Sequence, residues 1–154
     1  MIQISAKQAA QQIAWQDNIL ILTHAHPEGD TVGSAFARFR ALRDKGKNVR
    51  VLCPDPIPEK YGYLYGSLPQ QDFEPGYIIS VDVADAALLG SLRAEYASRV
   101  DLSIDNQGAN RLFAKMTYLD ETAAANTENI YRILEALQCP ITWEIADCIY
   151  TGIA

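Results

Sequence analysis

The feature that most constrains this chain is an apolar run, Ile19-Leu20-Ile21-Leu22, followed directly by a polar turn and then by an amphipathic segment. Four consecutive aliphatic residues are typical of a strand buried on both faces, as in a parallel sheet. The turn contains two histidines and two carboxylates, and Gly33 and Ser34 open the helical segment after it. It therefore lies between the carboxyl end of a strand and the amino end of a helix, where open α/β sheets bind their ligands.

Three residues of this turn are candidate metal ligands. His24, Glu28 and Asp30 offer one nitrogen and two carboxylate groups at spacings of four and two residues. Such a mixed set suits a borderline divalent cation such as Mn²⁺. The simpler interpretation is a polar loop in which Asp30 or Thr31 caps the next helix. A cap needs only one residue, whereas four ionisable groups lie within seven positions, so a metal or phosphate role is the stronger hypothesis.

Strand and helix patterns alternate along the rest of the chain. Ser5 and Gln8 form a capping-box pattern before a first helix that ends near Trp15. Further strands are predicted over 49–52, 77–82, 100–105 and 116–119, and further helices over 32–45, 86–96, 126–137 and from Thr142 onward, with one short helix near 58–65. On the helix after the turn, four basic residues are assigned to the solvent face: Arg38, Arg40, Arg43 and Lys45.

This alternation predicts a three-layer α/β domain with a mostly parallel sheet of about five strands. At 154 residues the chain is long enough for one domain with a substantial core. Three predicted strands end in carboxylates, with Asp30 in the loop after the first, Asp82 at the third and Asp105 at the fourth. Because the carboxyl ends of parallel strands share one edge, we expect these groups to converge with His24 there.

Composition excludes several classes of function. The net charge of −6 argues against non-specific electrostatic binding of long duplex nucleic acid. It is compatible with the binding of a short nucleotide at a local site. No apolar run is long enough to cross a bilayer, and the amino terminus lacks the pattern of a signal peptide. The three cysteines lack metal-site spacing and are interpreted as reduced core thiols, which predicts a cytoplasmic protein.

Four segments together resemble the DHH phosphoesterases in order and spacing. They are residues 23–34, Val81-Asp82, residues 104–110 and residues 127–131, and the ending, residues 150–154, is also similar. The branch that fits best is the nanoRNase and pAp-phosphatase type, with RecJ-like exonucleases and family II pyrophosphatases as relatives. The resemblance implies a DHH-type domain over 1–154 that ends before the family's last metal-binding Asp and its carboxy-terminal substrate domain.

The resemblance also implies roles for individual residues. His24 and Glu28 would hold a first Mn²⁺ ion, Asp30 a second, and Asp82 both. The substrate would be a short oligonucleotide or a nucleotide phosphate, and the resemblance leaves a homodimer open. Glu28 stands where the family usually has Asp, which keeps the charge and moves the carboxylate by one methylene.

The motif that names the family is altered in this chain. Asp105-Asn106-Gln107 stands where Asp-His-His is expected. Asn106 replaces a metal-binding His, and Gln107 replaces the His that faces the phosphate, where it can donate a hydrogen bond but cannot carry a charge near pH 7. Asn106 and Gln107 are thus the altered catalytic positions, and Gln107 and Asn110 the candidate substrate contacts.

Two functional hypotheses follow. The first is a metal-dependent phosphoesterase, and the second is a degenerate module of the same family that binds a nucleotide or metal without turnover. A plain doubly wound nucleotide-binding domain is a weaker third, because no Gly-x-Gly-x-x-Gly loop follows any predicted strand.

Overall fold

The computed structural model describes residues 2–25, 29–56, 59–61, 71–105, 113–119 and 126–153. Within them lies a six-stranded, fully parallel sheet of order β1-β6-β5-β4-β2-β3. The strands are β1 (Ile2–Gln3), β2 (Ile19–Thr23), β3 (Val49–Leu52), β4 (Tyr77–Val81), β5 (Leu102–Asp105) and β6 (Met116–Leu119). The predicted α/β class is confirmed, with one strand more than expected.

Helices cover both faces of this sheet, so the three-layer prediction is confirmed. The α-helices are α1 (Ala6–Ala14), α2 (Gly29–Asp44), α3 (Arg93–Tyr96), α4 (Asn126–Ala136) and α5 (Trp143–Ile153), and 3₁₀ helices span Glu59–Tyr61, Ala86–Leu92 and Ala97–Arg99. One core cluster joins a sheet face to α1, α2, α4 and α5, and a second joins the other face to the segments around Leu89 and Tyr96. None of the described helices is long and apolar enough to span a membrane.

The first helix begins as its sequence predicts. The Ser5 hydroxyl accepts a hydrogen bond from the Gln8 amide at 3.1 Å, and the Gln8 side chain accepts one from the Ser5 amide at 2.9 Å. Both bonds satisfy amides that have no partner inside the helix. Just before this helix, β1 lies along β6, where the Ile2 amide donates to Lys115 and the Ile4 amide to Thr117. A two-residue strand is too short for an alternating pattern, which is why the sequence did not reveal it.

The solvent-facing assignment of Arg38 is wrong. Its side chain is only 1% exposed and lies among the apolar residues of α2 that pack on the sheet. None of its three guanidinium nitrogens has a hydrogen-bond partner in the part of the chain that the structure describes. Burial lowers the pKa of Arg38 to about 9. The helix is enclosed by the sheet, α4 and α5, so a position that a two-sided pattern assigns to water lies in the core.

The predicted helix over 86–96 is two short pieces rather than one. A 3₁₀ helix over Ala86–Leu92 is followed by the single α-helical turn of α3. The break is at Gly90, whose φ of 55° and ψ of −125° lie outside any helical conformation. This left-handed backbone is open to glycine and rare for residues with a side chain.

Candidate metal centre

His24 and Asp82 meet at the carboxyl edge of the sheet. They follow β2 and β4, which are neighbours, and the last residues of those strands, Thr23 and Val81, are paired in register. The imidazole Nε2 of His24 lies 3.3 Å from Oδ2 of Asp82, and both side chains remain partly accessible to solvent. The prediction that strand-end groups converge is therefore confirmed for this pair.

The imidazole of His24 is oriented by the backbone. Its Nδ1 forms a short contact with the carbonyl oxygen of Ala25. Nδ1 is therefore directed at a backbone acceptor, and Nε2 is the nitrogen directed at the Asp82 carboxylate. Histidine metal ligands in proteins typically hold a backbone carbonyl or carboxylate in this way, which fixes the tautomer of the coordinating nitrogen.

Asp82 has an unusual backbone conformation. Its φ is +60°, which aspartate tolerates better than most residues with a side chain. Its amide donates a 3.0 Å hydrogen bond to the carbonyl of Ile104 on the neighbouring β5. The left-handed turn ends β4 abruptly, so the Asp82 side chain stays beside His24 instead of continuing the strand.

This donor pair fits a divalent cation. An imidazole nitrogen and a carboxylate oxygen are both good ligands for Mn²⁺ or Zn²⁺. With metal–ligand bonds of about 2.1 Å, neighbouring ligands on one ion lie about 3 Å apart, close to the separation of Nε2 and Oδ2. The chemistry and spacing of the two side chains therefore suit a shared cation.

For the other predicted site residues the structure describes at most the backbone. Asp30 is in the first turn of α2, and its side chain is outside the description, as are Glu28, Asn106, Gln107 and Asn110 altogether. Asp105 is the last residue of β5 and is fully buried. Among the side chains that the structure describes, no group of three His, Cys, Asp or Glu residues is arranged to hold a metal. The roles assigned to Glu28 and Asp30 thus stay predictions.

Sequence reasoning missed a thiol at the same edge. Cys53 follows β3, and its side chain is hydrogen-bonded to Thr23, the residue before His24. Burial raises the pKa of the Cys53 thiol, so it is neutral near pH 7. Its position directly after a predicted strand was a signal for this placement, since β3 is the neighbour of β2.

Sequence reasoning also missed the backbone partner of the turn. The amide of Ala25 donates a 2.8 Å hydrogen bond to the carbonyl of Leu88, in the 3₁₀ helix over Ala86–Leu92. This contact joins two loops more than sixty positions apart in the chain. No residue pattern in either loop indicated it, because both groups belong to the backbone.

The fold and the strand-end pair define an α/β domain with its candidate site at the carboxyl edge of a parallel sheet. Residues 18–153 match the family model described as "DHH family, N-terminal domain", and the chain belongs to that family. The predicted family is confirmed.

Two known proteins are similar to this chain, one in sequence and one in fold. The "Bifunctional oligoribonuclease and PAP phosphatase NrnA" of Thermus thermophilus is 28% identical over 141 residues, covering 88% of this chain and 42% of its own length. The crystal structure of an exopolyphosphatase-related protein from Bacteroides fragilis superposes with a TM-score of 0.86 at 22% identity. That superposition covers 96% of this chain and 48% of the other, so the chain spans less than half the length of either protein.

Proposed function

We propose that this chain is the amino-terminal domain of a metal-dependent phosphoesterase that hydrolyses short oligoribonucleotides or nucleotide phosphates such as pAp. The observation that carries the proposal is the His24–Asp82 pair, 3.3 Å apart at the carboxyl edge of the sheet. Membership of the DHH family and the activities for which the Thermus thermophilus relative is named support the substrate class.

In this proposal each residue at the edge has one task. His24 and Glu28 hold a first Mn²⁺ ion, Asp30 a second, and Asp82 contributes to both. A bound divalent cation lowers the pKa of its water and neutralises charge on a phosphoryl oxygen. Asn106, Gln107 and Asn110 follow β5 in sequence and supply neutral amides that can donate hydrogen bonds to phosphate oxygens.

The second candidate function is binding without turnover. It is favoured by Asn106 and Gln107, which stand at the two His positions of the family's motif. Neither amide can shuttle a proton near neutral pH, and an amide oxygen is a weaker ligand than imidazole for a transition metal. A protein of this kind would hold one cation and a nucleotide phosphate at the same edge.

A calorimetric titration with Mn²⁺ tests the shared basis of both functions. We expect binding by the wild-type domain and its loss in Asp82→Ala, since the substitution removes one of two neighbouring ligands. Asp72→Ala is the matched control, because the Asp72 side chain is fully exposed and its ion pair, with Arg50 at 3.5 Å, lies on the surface. Equal Mn²⁺ affinity in the wild type and in Asp82→Ala would overturn the metal centre.

Hydrolysis assays on the full-length protein then separate the two functions. Release of phosphate from pAp, or of mononucleotides from a short oligoribonucleotide, supports the enzyme when Mn²⁺ is present and Asp82 is intact. Binding of the same oligonucleotide with no cleavage across a Mn²⁺ series supports the binding module.

A further inference from the structure

We propose that the 3₁₀ helix over Ala86–Leu92 is a positioning element for His24, acting through Leu88 and Gly90. The inference rests on the proposed function, since it gives His24 the role of a metal ligand. None of the proposed cation ligands belongs to this 3₁₀ helix, so its role would be indirect.

Two contacts at Ala25 connect this segment with His24. The carbonyl of Leu88 accepts a 2.8 Å hydrogen bond from the amide of Ala25, which belongs to the peptide that joins His24 to Ala25. The Nδ1 of the His24 ring contacts the carbonyl oxygen of Ala25 in the next peptide. The Leu88 bond therefore holds the backbone that carries His24, and this backbone in turn places the ring and the carbonyl that the ring contacts.

Gly90 brings this segment close enough for the bond to form. A methyl group at Gly90 would lie 3.6 Å from Cβ of Ala25 and 3.5 Å from Cβ of Pro54, so the backbone of Gly90 lies against both strand-end loops. Those distances leave room for a side chain, but the φ of +55° does not favour one. The requirement for glycine is therefore one of backbone conformation.

The same short stretch of chain also carries Asp82. It leaves β4 at Asp82, and Asp85 caps the 3₁₀ helix by accepting the Ala87 amide at 2.9 Å. Leu89 is fully buried and anchors the segment in the second core cluster beside Leu20 and Leu22. One anchored loop thus supplies Asp82 directly and orients His24 from the opposite side.

Gly90→Ala is the first test. The alanine prefers a negative φ, so the segment shifts, the Leu88–Ala25 bond lengthens and the ring of His24 is released. Loss of an outer partner typically weakens metal affinity about 10- to 100-fold, and we expect an effect in that range for Mn²⁺ measured by calorimetry. Gly46→Ala is the matched control, since Gly46 has a φ of +83°, open space around it and a position beyond the end of α2, far from the centre. We expect its Mn²⁺ affinity to equal that of the wild type.

A milder pair of variants covers the case in which Gly90→Ala does not fold. Asp85→Ala removes the cap of the 3₁₀ helix, whereas Asp85→Asn keeps a side-chain oxygen that can accept the Ala87 amide. A typical cap contributes about 1 kcal/mol. If the whole of that free energy supports the position of His24, its loss weakens Mn²⁺ binding about five-fold. An Mn²⁺ affinity in Asp85→Asn close to that of the wild type supports the positioning role. Equally weak Mn²⁺ binding in both variants would refute that role and indicate an effect of the Asp85 charge.

The metal-free domain separates failure of this proposal from failure of the proposed function. Amide hydrogen exchange reports the Ala25–Leu88 bond, and the ¹⁵N–¹H signals of the His24 ring report its environment. In the wild type we expect a protected Ala25 amide and a single set of ring signals, both altered in Gly90→Ala. If those signals behave so but Mn²⁺ never binds, the proposed function fails and the positioning stands. If Asp82→Ala abolishes binding while Gly90→Ala leaves the spectra and the affinity unchanged, the positioning role fails alone.

Discussion

Replacing Arg38 by methionine is expected to stabilise this domain. The guanidinium is 1% exposed, and the ionisable groups that the structure describes around it are neutral near pH 7, because burial raises the pKa of Tyr77 to about 12 and also raises the pKa of the Cys139 thiol. Lowering the pKa of Arg38 from 12.5 to about 9 corresponds to roughly 5 kcal/mol of penalty on the charged form. Replacement of buried ionic groups by apolar residues of similar volume gains about 1–4 kcal/mol, which is the range we expect for Arg38→Met.

The measurement is urea unfolding of the wild type and the variant near neutral pH, followed by far-UV circular dichroism. A rise in the midpoint with an unchanged slope would report a gain in the free energy of unfolding, since the slope follows the surface exposed on unfolding. For a chain of this size each kcal/mol also corresponds to about 2–4 °C in Tm.

Arg43→Met on the same helix is the control. Arg43 is partly exposed and lies over the ring of Phe39, 5.3 Å from its centroid, so its charge is less desolvated than that of Arg38. We expect a change within about 0.5 kcal/mol. Destabilisation of the domain by Arg38→Met, with Arg43→Met neutral, would refute the argument that the buried charge is uncompensated.

Three further outcomes follow from single contacts. Burial raises the pKa of Cys148 from 9.0 to about 12. Between those pH values the unfolded chain has released a proton that the folded chain keeps, so the free energy of unfolding falls as the pH rises. Urea unfolding at about pH 8 and about pH 10.5 should therefore show a loss of stability in Cys148→Ala that is about 2 kcal/mol smaller than the loss in the wild type. Ser5→Ala removes the hydroxyl that accepts the Gln8 amide and should cost about 1 kcal/mol, with recovery in Ser5→Asn. Asp101→Ala leaves the Ile78 amide without its 2.9 Å acceptor and should cost about 1–3 kcal/mol, whereas Asp101→Asn keeps an acceptor and protects that amide in hydrogen exchange.

The sheet and half of the candidate centre were accessible from the sequence because they depend on local patterns. The aliphatic runs of β2 and β4 specify strands buried on both faces, and parallel strands bring their carboxyl ends together. His24 and Asp82 could therefore be placed at one edge without knowing any long-range contact. The orientation of the His24 ring could not, because it depends on a contact with the backbone of Ala25.

Other features depend on tertiary context that a pattern cannot supply. Arg38 has the sequence appearance of a solvent-facing residue, and it is the enclosure of α2 by two further helices that buries it. The break at Gly90 within an apparently helical run is set by the loops after β2 and β3, against which that glycine lies. Such residues are specified by what packs around them, and a single sequence does not contain that information in a local form.

The two residues of β1 affect whether the domain associates with other copies of itself. They lie along the outer side of β6 and occupy its amide and carbonyl groups. Without them β6 would become the border of the sheet, and an unpaired border strand is a template for a strand from another molecule. Trimming the first few residues would therefore spare the fold and the cation ligands but favour self-association of the domain through strand addition.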